Sequence, residues 1–276
     1  MTIVSLKDFS LSYTKDSPPA LHRIDLDLNS GESVIVSGLS GSGKSTLCLA
    51  VAGFTETFPA MTVSGQIIRS ESADGKPLRV GIVLQNFYSQ VTYLRSTVME
   101  EIAFPCENLG LPRAETARRV SDAIARIRIG HLAQRSPLEL SGGEKQKVVL
   151  AAAIAGKPDL LILDEPLSQL DPESTSYLGE VLSELKQELA LLIAENDPYL
   201  TLKVADRLVV LSEGKIVADG SPETVIGPST ASCLDLPAWT KCVAKAYEGS
   251  VADDNRMTRQ YELNYRKALS LLRGSE

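Results

Sequence analysis

The chain has 276 residues, of which 43% are hydrophobic and 23% are charged, a composition typical of a globular protein with a large core. Asp and Glu number 35 against 28 Lys and Arg, so the formal net charge of −7 disfavours nucleic acid as a partner. No stretch approaches the roughly 18 apolar residues that cross a bilayer, and residues 1–10 lack the pattern of a signal peptide. We therefore expect a cytoplasmic protein, which can still dock on a membrane protein.

The cysteines are scattered along the chain and form no C-x-x-C pair. They are Cys48, Cys106, Cys233 and Cys242. This spacing favours reduced structural thiols over a zinc site or a disulfide framework.

The start of the chain predicts three strands and a helix in close succession. Apolar and polar residues alternate over 3–13 and again over 21–28, which indicates two half-buried antiparallel strands. A run of β-branched residues at 33–37 indicates a fully buried strand. A glycine-rich loop follows this strand, and we expect a helix over 46–53.

The middle of the chain changes from strand to helix periodicity. We expect strands at 63–70, at the edge of a sheet, and at 78–84. Helical spacing then extends over 97–128, with a break that contains Pro and Gly at 109–112. The pattern predicts a helical insertion between two sheet regions.

Sheet character returns in the second half of the chain. Short apolar runs separated by helical segments indicate strands at 160–163, 190–194 and 207–211. Strands that alternate with helices imply an α/β fold with a mainly parallel sheet. The stretch 227–230 predicts a domain boundary, and 234–276 predicts two short helices.

A phosphate-binding motif follows the third strand. Residues 38–45 read Gly-Leu-Ser-Gly-Ser-Gly-Lys-Ser and match G-x-x-x-x-G-K-[ST]. Glycines let such a loop wrap an anion without Cβ clashes, and the N–H groups at the start of a helix carry partial positive charge. We expect Lys44 to reach the β- and γ-phosphates of a nucleotide and Ser45 to ligate Mg²⁺. Four fixed positions can also match by chance, but the strand-loop-helix context favours a site. Its expected residues are Gly38, Ser40, Gly41, Ser42, Gly43, Lys44, Ser45 and Thr46.

Two further motifs contain polar residues that are suited to binding or hydrolysing a nucleotide. The strand 160–163 ends in Asp164, which would hold Mg²⁺ through water, and Glu165, which would polarise an attacking water. The alternative is that both acids only cap the next helix. Ser141, Gly142 and Gly143 open another helix and form a second candidate anion site, which would serve the γ-phosphate bound by a second subunit. Taken alone, they could be a flexible cap.

The order and spacing of these motifs resemble the ATPase subunit of an ABC transporter over residues 3–227. The motifs are the phosphate loop, Leu140-Ser141-Gly142-Gly143-Glu144, Asp164-Glu165 and Ser168-Gln169-Leu170-Asp171. The resemblance implies two ATP molecules, with Mg²⁺, sandwiched between two such domains. It further implies a P-loop ATPase domain over 1–227, with an antiparallel β subdomain and a helical subdomain at about 88–155. A helical extension over 228–276 would follow.

Three more residues gain a role through the resemblance alone. Tyr13 would stack on adenine, although a strand aromatic of this kind can also face the core. Gln85 resembles the glutamine that senses Mg²⁺ and links the site to the membrane subunit. Asp171 resembles the aspartate at the seam of the dimer.

One family residue is missing. After the strand 190–194 the family usually has a histidine that contacts the γ-phosphate and the attacking water, and this chain has Asn196 there. Its two histidines, His22 and His131, are better interpreted as surface or structural residues. An amide can hydrogen-bond to phosphate but cannot act as an acid near neutral pH, so we expect ATP binding with slow hydrolysis. A paired ATPase that carries the histidine could compensate in a heterodimer.

The segments 85–90, 97–104 and 107–112 are similar to the ATPases of energy-coupling factor importers, which take up vitamins and transition-metal ions. The tail after 236 resembles their dimerisation extension. This similarity implies a peripheral protein on the cytoplasmic face of the membrane, whose surface 85–103 receives a coupling helix from a transmembrane subunit. A substrate-binding membrane component would complete the importer.

Other functions stay open at the level of sequence. One is the ATPase of a different ABC importer class. Another is a soluble ABC ATPase acting on DNA or ribosomes, but these tend to carry a long coiled-coil insertion or tandem ATPase domains, which this sequence lacks. A third is a nucleotide-binding regulatory scaffold, for which Asn196 is the argument.

Overall fold

The structure, a computed structural model, describes residues 1–56, 60–71, 75–167, 172–196, 203–226, 230 and 233–234. The strands are β1 Thr2–Ser12, β2 Leu21–Asn29, β3 Ser33–Ser37, β4 Thr62–Arg69, β5 Val80–Val83, β6 Leu160–Asp164, β7 Ala190–Glu195, β8 Arg207–Ser212 and β9 Lys215–Gly220. The helices are α1 Lys44–Ala52, α2 Val98–Asn108, α3 Arg113–Arg126, α4 Gly142–Ala155, α5 Pro172–Leu185 and α6 Pro222–Val225.

A six-stranded sheet forms the centre of the fold, in the order β5-β6-β7-β3-β8-β9. Every neighbouring pair is parallel except β8 and β9, which are antiparallel. Every residue of β3, β6 and β7 is buried, as expected for parallel strands covered on both faces. The carboxyl ends of β3, β5, β6 and β7 therefore lie at one edge of the sheet, which is where the candidate site forms.

A smaller antiparallel sheet packs on one face of the central sheet. Its order is β2-β1-β4, so β4 is at an edge, as predicted. Phe9 of β1 and Leu47 of α1 share a buried apolar cluster with Val34 of β3. The next residue of β3, Ile35, belongs to the cluster on the opposite face, together with Val148 of α4. Because successive side chains of a strand point to opposite faces, β3 contributes to both apolar clusters.

Helices α2, α3 and α4 cover that opposite face. A capping box starts α2, in which the Glu100 amide donates to the Thr97 hydroxyl at 3.3 Å and Glu100 accepts from the Thr97 amide at 3.1 Å. Gly110, with φ of 67°, makes the turn between α2 and α3. The predicted break at 109–112 is therefore confirmed.

The predicted α/β class, with a mainly parallel central sheet and a separate antiparallel sheet, is confirmed, with two differences. The helix after the phosphate loop begins at Lys44, two residues earlier than predicted. Strand β9 was not predicted, and it pairs with β8 through the turn at Glu213 and Gly214. The boundary near 227 stays a prediction, because most of 228–276 lies outside the described residues.

Two smaller expectations can be compared with the described part of the chain. Cys48 and Cys106 are buried free thiols and Cys233 is partly buried, whereas Cys242 lies outside the described residues. None of the described helices has the length and apolarity needed to cross a membrane.

Candidate active site

The phosphate loop links the end of β3 to the start of α1. Gly41 and Gly43 have φ angles of 79° and 108°, which side chains with a Cβ rarely adopt. A Cβ on Gly43 would also lie 2.7 Å from the carbonyl oxygen of Ala20. Within the described residues, no side chain caps the start of α1. Its first N–H groups are therefore suited to bind an anion.

Lys44 lies beneath this loop and is only 4% exposed. Its ammonium donates to the carbonyl oxygens of Gly38 at 2.9 Å and Leu39 at 3.1 Å, and to Oδ1 of Asn196 at 2.8 Å. Burial lowers the pKa of Lys44, and the charge of Glu165 is the first of several effects that oppose this shift. All three ammonium donors are used, so the buried cation is fully hydrogen-bonded.

Asp164 ends β6 beside the loop and is 3% exposed. Burial raises the pKa of this carboxyl group, against the effect of a hydrogen bond from the Ser45 side chain. Its Oδ1 atom is buried without a hydrogen-bond partner. A buried carboxylate oxygen without a partner beside a hydroxyl suits Mg²⁺, which prefers oxygen ligands and retains several waters. These two residues therefore fit the ion that the motif implies.

Glu165 follows Asp164 in a left-handed backbone conformation, with φ of 50°. Its amide donates to the carbonyl oxygen of Ala194 at 2.8 Å, which fixes this unusual turn. Its carboxylate accepts from Nε2 of Gln85 at 2.6 Å and from Nδ2 of Asn196 at 2.8 Å. A chain of hydrogen bonds thus runs from Gln85 through Glu165 and Asn196 to Lys44.

These groups surround one cavity of about 360 Å³. It is lined by Tyr13, Ala20, Ser40, Gly41, Gly43, Lys44, Ser45, Thr46, Gln85, Glu165 and Asn196. Most of the predicted phosphate-loop residues, both predicted catalytic side chains and Asn196 therefore meet at one place. Neither described histidine, His22 or His131, is part of this lining.

Three more of the predicted residues, Tyr13, Ser42 and Gly38, lie in the phosphate loop or beside it. Tyr13 is 44% exposed, with its hydroxyl 2.8 Å from that of Thr46, so it does not face the core. Ser42 is buried and its hydroxyl lacks a partner. A Cβ on Gly38 would lie 2.1 Å from the carbonyl oxygen of Leu211, so only glycine fits there.

Ser141, Gly142 and Gly143 do not line this cavity. Ser141 is the N-cap of α4, and its amide donates to the Glu144 carboxylate at 2.8 Å in a second capping box. Asp171 lies outside the described residues. The roles of these residues stay predictions.

Glu195, the last residue of β7, was not among the predicted site residues. It is 5% exposed, and its Oε1 accepts from the amide of Leu167 at 3.1 Å, two residues after Glu165. Its charge also acts on Lys44. An acidic residue directly after a buried apolar strand, as at Asp164, was the signal that could have identified it.

Comparisons with known proteins agree with this geometry. The ABC transporter family model matches residues 21–168. The energy-coupling factor transporter ATP-binding protein EcfA1 of Enterococcus faecalis is 34% identical over 267 residues, which cover 94% of each chain. The corresponding EcfA of Methanothermobacter thermautotrophicus is 33% identical over 279 residues, covering 99% of this chain and 88% of the relative.

A solved structure is also similar. CbiO1 of Clostridium perfringens, described as part of the ABC transporter complex cbiONQ, aligns with a TM-score of 0.70 and 27% sequence identity. The alignment covers 96% of this chain and 99% of that one.

The burial of Asp164 generates a prediction about the metal-free protein. Because the pKa of Asp164 is raised, its protonated form favours the folded state, and ionisation above a pH of about 3.9 progressively costs stability. Asp164→Asn removes that charge, so we expect Tm to rise by roughly 2–4 °C at neutral pH. The gain should shrink at acidic pH, where the wild-type group is protonated. Thermal unfolding in EDTA across this pH range measures it, and a variant less stable at every pH would contradict the assignment.

Proposed function

Because the chain belongs to the ABC transporter family of ATPases, we propose that it is the ATP-hydrolysing subunit of an energy-coupling factor importer. The observation that carries the proposal is the single cavity in which Lys44, Gln85 and Glu165 meet the phosphate loop. Relatives with the energy-coupling factor name that align over nearly the whole chain support the importer class. We further propose that the transported substrate is a vitamin or a transition-metal ion, selected by a separate membrane component.

Binding of ATP is proposed to rest on the loop and on Lys44. The N–H groups at the start of α1 would bind phosphate oxygens, and Lys44 would exchange its contact with Asn196 for one with the β- and γ-phosphates. Ser45 and Asp164 would hold Mg²⁺, which when bound neutralises charge on the phosphates. Tyr13 is exposed beside the loop, where its ring can stack on adenine.

Glu165 is proposed to act on the attacking water. Its carboxylate lies in the cavity and already accepts two hydrogen bonds, from Gln85 and Asn196, so its orientation is set before a substrate binds. A carboxylate held in this way can accept a proton from water within hydrogen-bond reach. Gln85 comes from the segment after β5, so it would link this carboxylate to contacts made outside the cavity.

Asn196 is proposed to slow this site. Its amide bridges Lys44 and Glu165, so it takes the place from which the family's histidine would act. An amide stabilises less charge at the transition state than an imidazole that can become protonated. A regulatory scaffold with little turnover at its own site is the second candidate function, favoured by this residue alone.

A second ATPase subunit is the proposed dimer partner. Ser141 to Gly143 lie at the start of α4, away from this chain's own cavity, so they would serve a nucleotide bound by the partner. The partner is a second copy or a related chain. A related chain with the missing histidine would build a faster site with these residues.

The surface 85–103 is the proposed contact with the transmembrane subunit, which would place the protein on the cytoplasmic face of the membrane. Large apolar side chains are exposed on it. Leu94 is 80% exposed, Tyr88 43%, Met99 40% and Tyr93 39%. Such a cluster is typical of an interaction site rather than of solvent-facing surface.

Glu165→Gln tests the hydrolytic role. We expect turnover to fall at least about 100-fold, because the amide cannot accept the proton, while ATP affinity changes less than about threefold. Phosphate release and the binding of a fluorescent ATP analogue measure the two effects. Glu213→Gln, at an exposed position, is the control. Unchanged turnover in the Glu165 variant would favour the scaffold function.

Asn196→His tests the proposed attenuation. We expect turnover to rise by about tenfold, because a histidine restores a group that can become positively charged near the γ-phosphate. Asn196→Ala is the matched variant and should lower turnover, since it breaks the bridge between Lys44 and Glu165. The attenuation would be wrong if the histidine variant turned over no faster than the wild type.

Purification from gently solubilised native membranes tests the importer assignment. We expect a transmembrane subunit and a second ATPase with the histidine to be recovered with the tagged chain and identified by mass spectrometry. Leu94→Asp should lose the transmembrane subunit without unfolding the protein, because Leu94 is 80% exposed. Val217→Asp, 51% exposed on β9, is the control and should retain it. Recovery of the wild-type chain alone from the soluble fraction would contradict the assignment.

A further inference from the structure

We propose that Gln90 is a positioning residue, whose side-chain amide holds the end of β5 so that Gln85 reaches Glu165. The inference rests on the proposed function, because it concerns how that hydrolytic site is kept in order. Gln90 lies outside the cavity, at the end of the segment 85–90, and its side chain has no role in the site described above.

The amide of Gln90 makes two hydrogen bonds to the last part of β5 and the residue that follows it. Its Oε1 accepts from the amide of Leu84 at 2.7 Å, and its Nε2 donates to the carbonyl oxygen of Ile82 at 3.0 Å. The carbonyl group of Ile82 and the amide of Leu84 point to the same side of the strand, away from β6. The Gln90 side chain thus supplies the hydrogen bonds that a neighbouring strand would have made at this sheet edge. We call these two bonds, to Ile82 and Leu84, the Gln90 clamp.

The segment between Gln85 and Gln90 is mostly exposed. Gln85 is exposed, so packing does not fix its side chain, and its position depends on the backbone at Leu84. Between Gln85 and Gln90 the chain is a short turn anchored by Phe87, which is 1% exposed. The amide bonds to Leu84 and Ile82 close this turn, and they therefore set where Gln85 begins.

Gln90 is itself held from the other side. Two residues later, the amide and hydroxyl of Thr92 donate to the Glu101 carboxylate on α2, at 2.6 Å and 2.9 Å. Glu101 is 4% exposed, so this tie is buried. Gln90 and Glu101 also line a groove of about 430 Å³ between β5, α2 and α4. A displacement of α2 would therefore be transmitted through Thr92 and Gln90 to the backbone that carries Gln85.

Gln90→Met tests the clamp, because methionine keeps the length of the side chain and removes both hydrogen bonds. We expect kcat for ATP hydrolysis by the full chain to fall roughly five- to tenfold, with KM for ATP changed less than about twofold. In a Gln85→Ala background the same substitution should cause no further loss, since Gln90 acts through Gln85. Gln187→Ala, at an exposed turn, is the control.

Hydrogen–deuterium exchange gives a readout that does not depend on hydrolysis. The amide of Leu84 should exchange at least about tenfold faster in Gln90→Met than in the wild type, and equally fast in the double variant. Equal losses of kcat in the wild-type and Gln85→Ala backgrounds would overturn the proposal, and so would unchanged exchange at Leu84. If the wild type hydrolysed no ATP, the proposed function would fail. The exchange rate of the Leu84 amide would then test by itself whether Gln90 holds the end of β5.

Discussion

Lys44 is only 4% exposed, so its ammonium group must find acceptors inside the protein, and it finds them on two sides. The carbonyl oxygens of Gly38 and Leu39 hold it against the phosphate loop, and Asn196 holds it against the end of β7. The loop, the strand ends and the hydrogen-bonded side chains between them are therefore organised around one buried cation. If Lys44 were turned to solvent, Asn196 and through it Glu165 would lose the partner that fixes their orientation.

The parallel register of the sheet explains why acidic groups surround this cation. Strands β6 and β7 end side by side, with Asp164 opposite Ala194, so Asp164, Glu165 and Glu195 are all brought close to Lys44. Three carboxylates outweigh one ammonium, and an added triphosphate would increase the negative charge further. The start of α1 and a divalent ion at the proposed metal site of Ser45 and Asp164 would balance it. The proposed site would thus bind nucleotide and metal together rather than the nucleotide alone.

The sequence was sufficient to predict the elements and site residues that depend on local periodicity or on a fixed motif. The buried strands β3, β6 and β7 are short apolar runs, and the loop 38–45 matches a fixed motif between a strand and a helix. Strand β9 was missed because its apolar residues form one short run without alternation and none of its residues is fully buried, although Glu213-Gly214, with φ of 48° and 74°, marks a hairpin turn. Gln90 could not be found in this way, because its hydrogen bonds run to the backbone groups of Ile82 and Leu84. Such contacts leave no periodic trace in the sequence.

Asn196 is a neutral group that bridges two charged side chains, and in the proposed function it would also limit the chemistry of the site. Its oxygen accepts from Lys44 and its nitrogen donates to Glu165, a polarity that an amide keeps at every pH. A neutral imidazole could make the same two bonds, but once protonated it would donate from both nitrogens and repel Lys44. That change would release Lys44 toward an incoming phosphate while strengthening the contact with Glu165. With the amide, release of Lys44 would depend on the nucleotide alone, so the proposed site would retain binding but would lose the additional charge near the reacting phosphate.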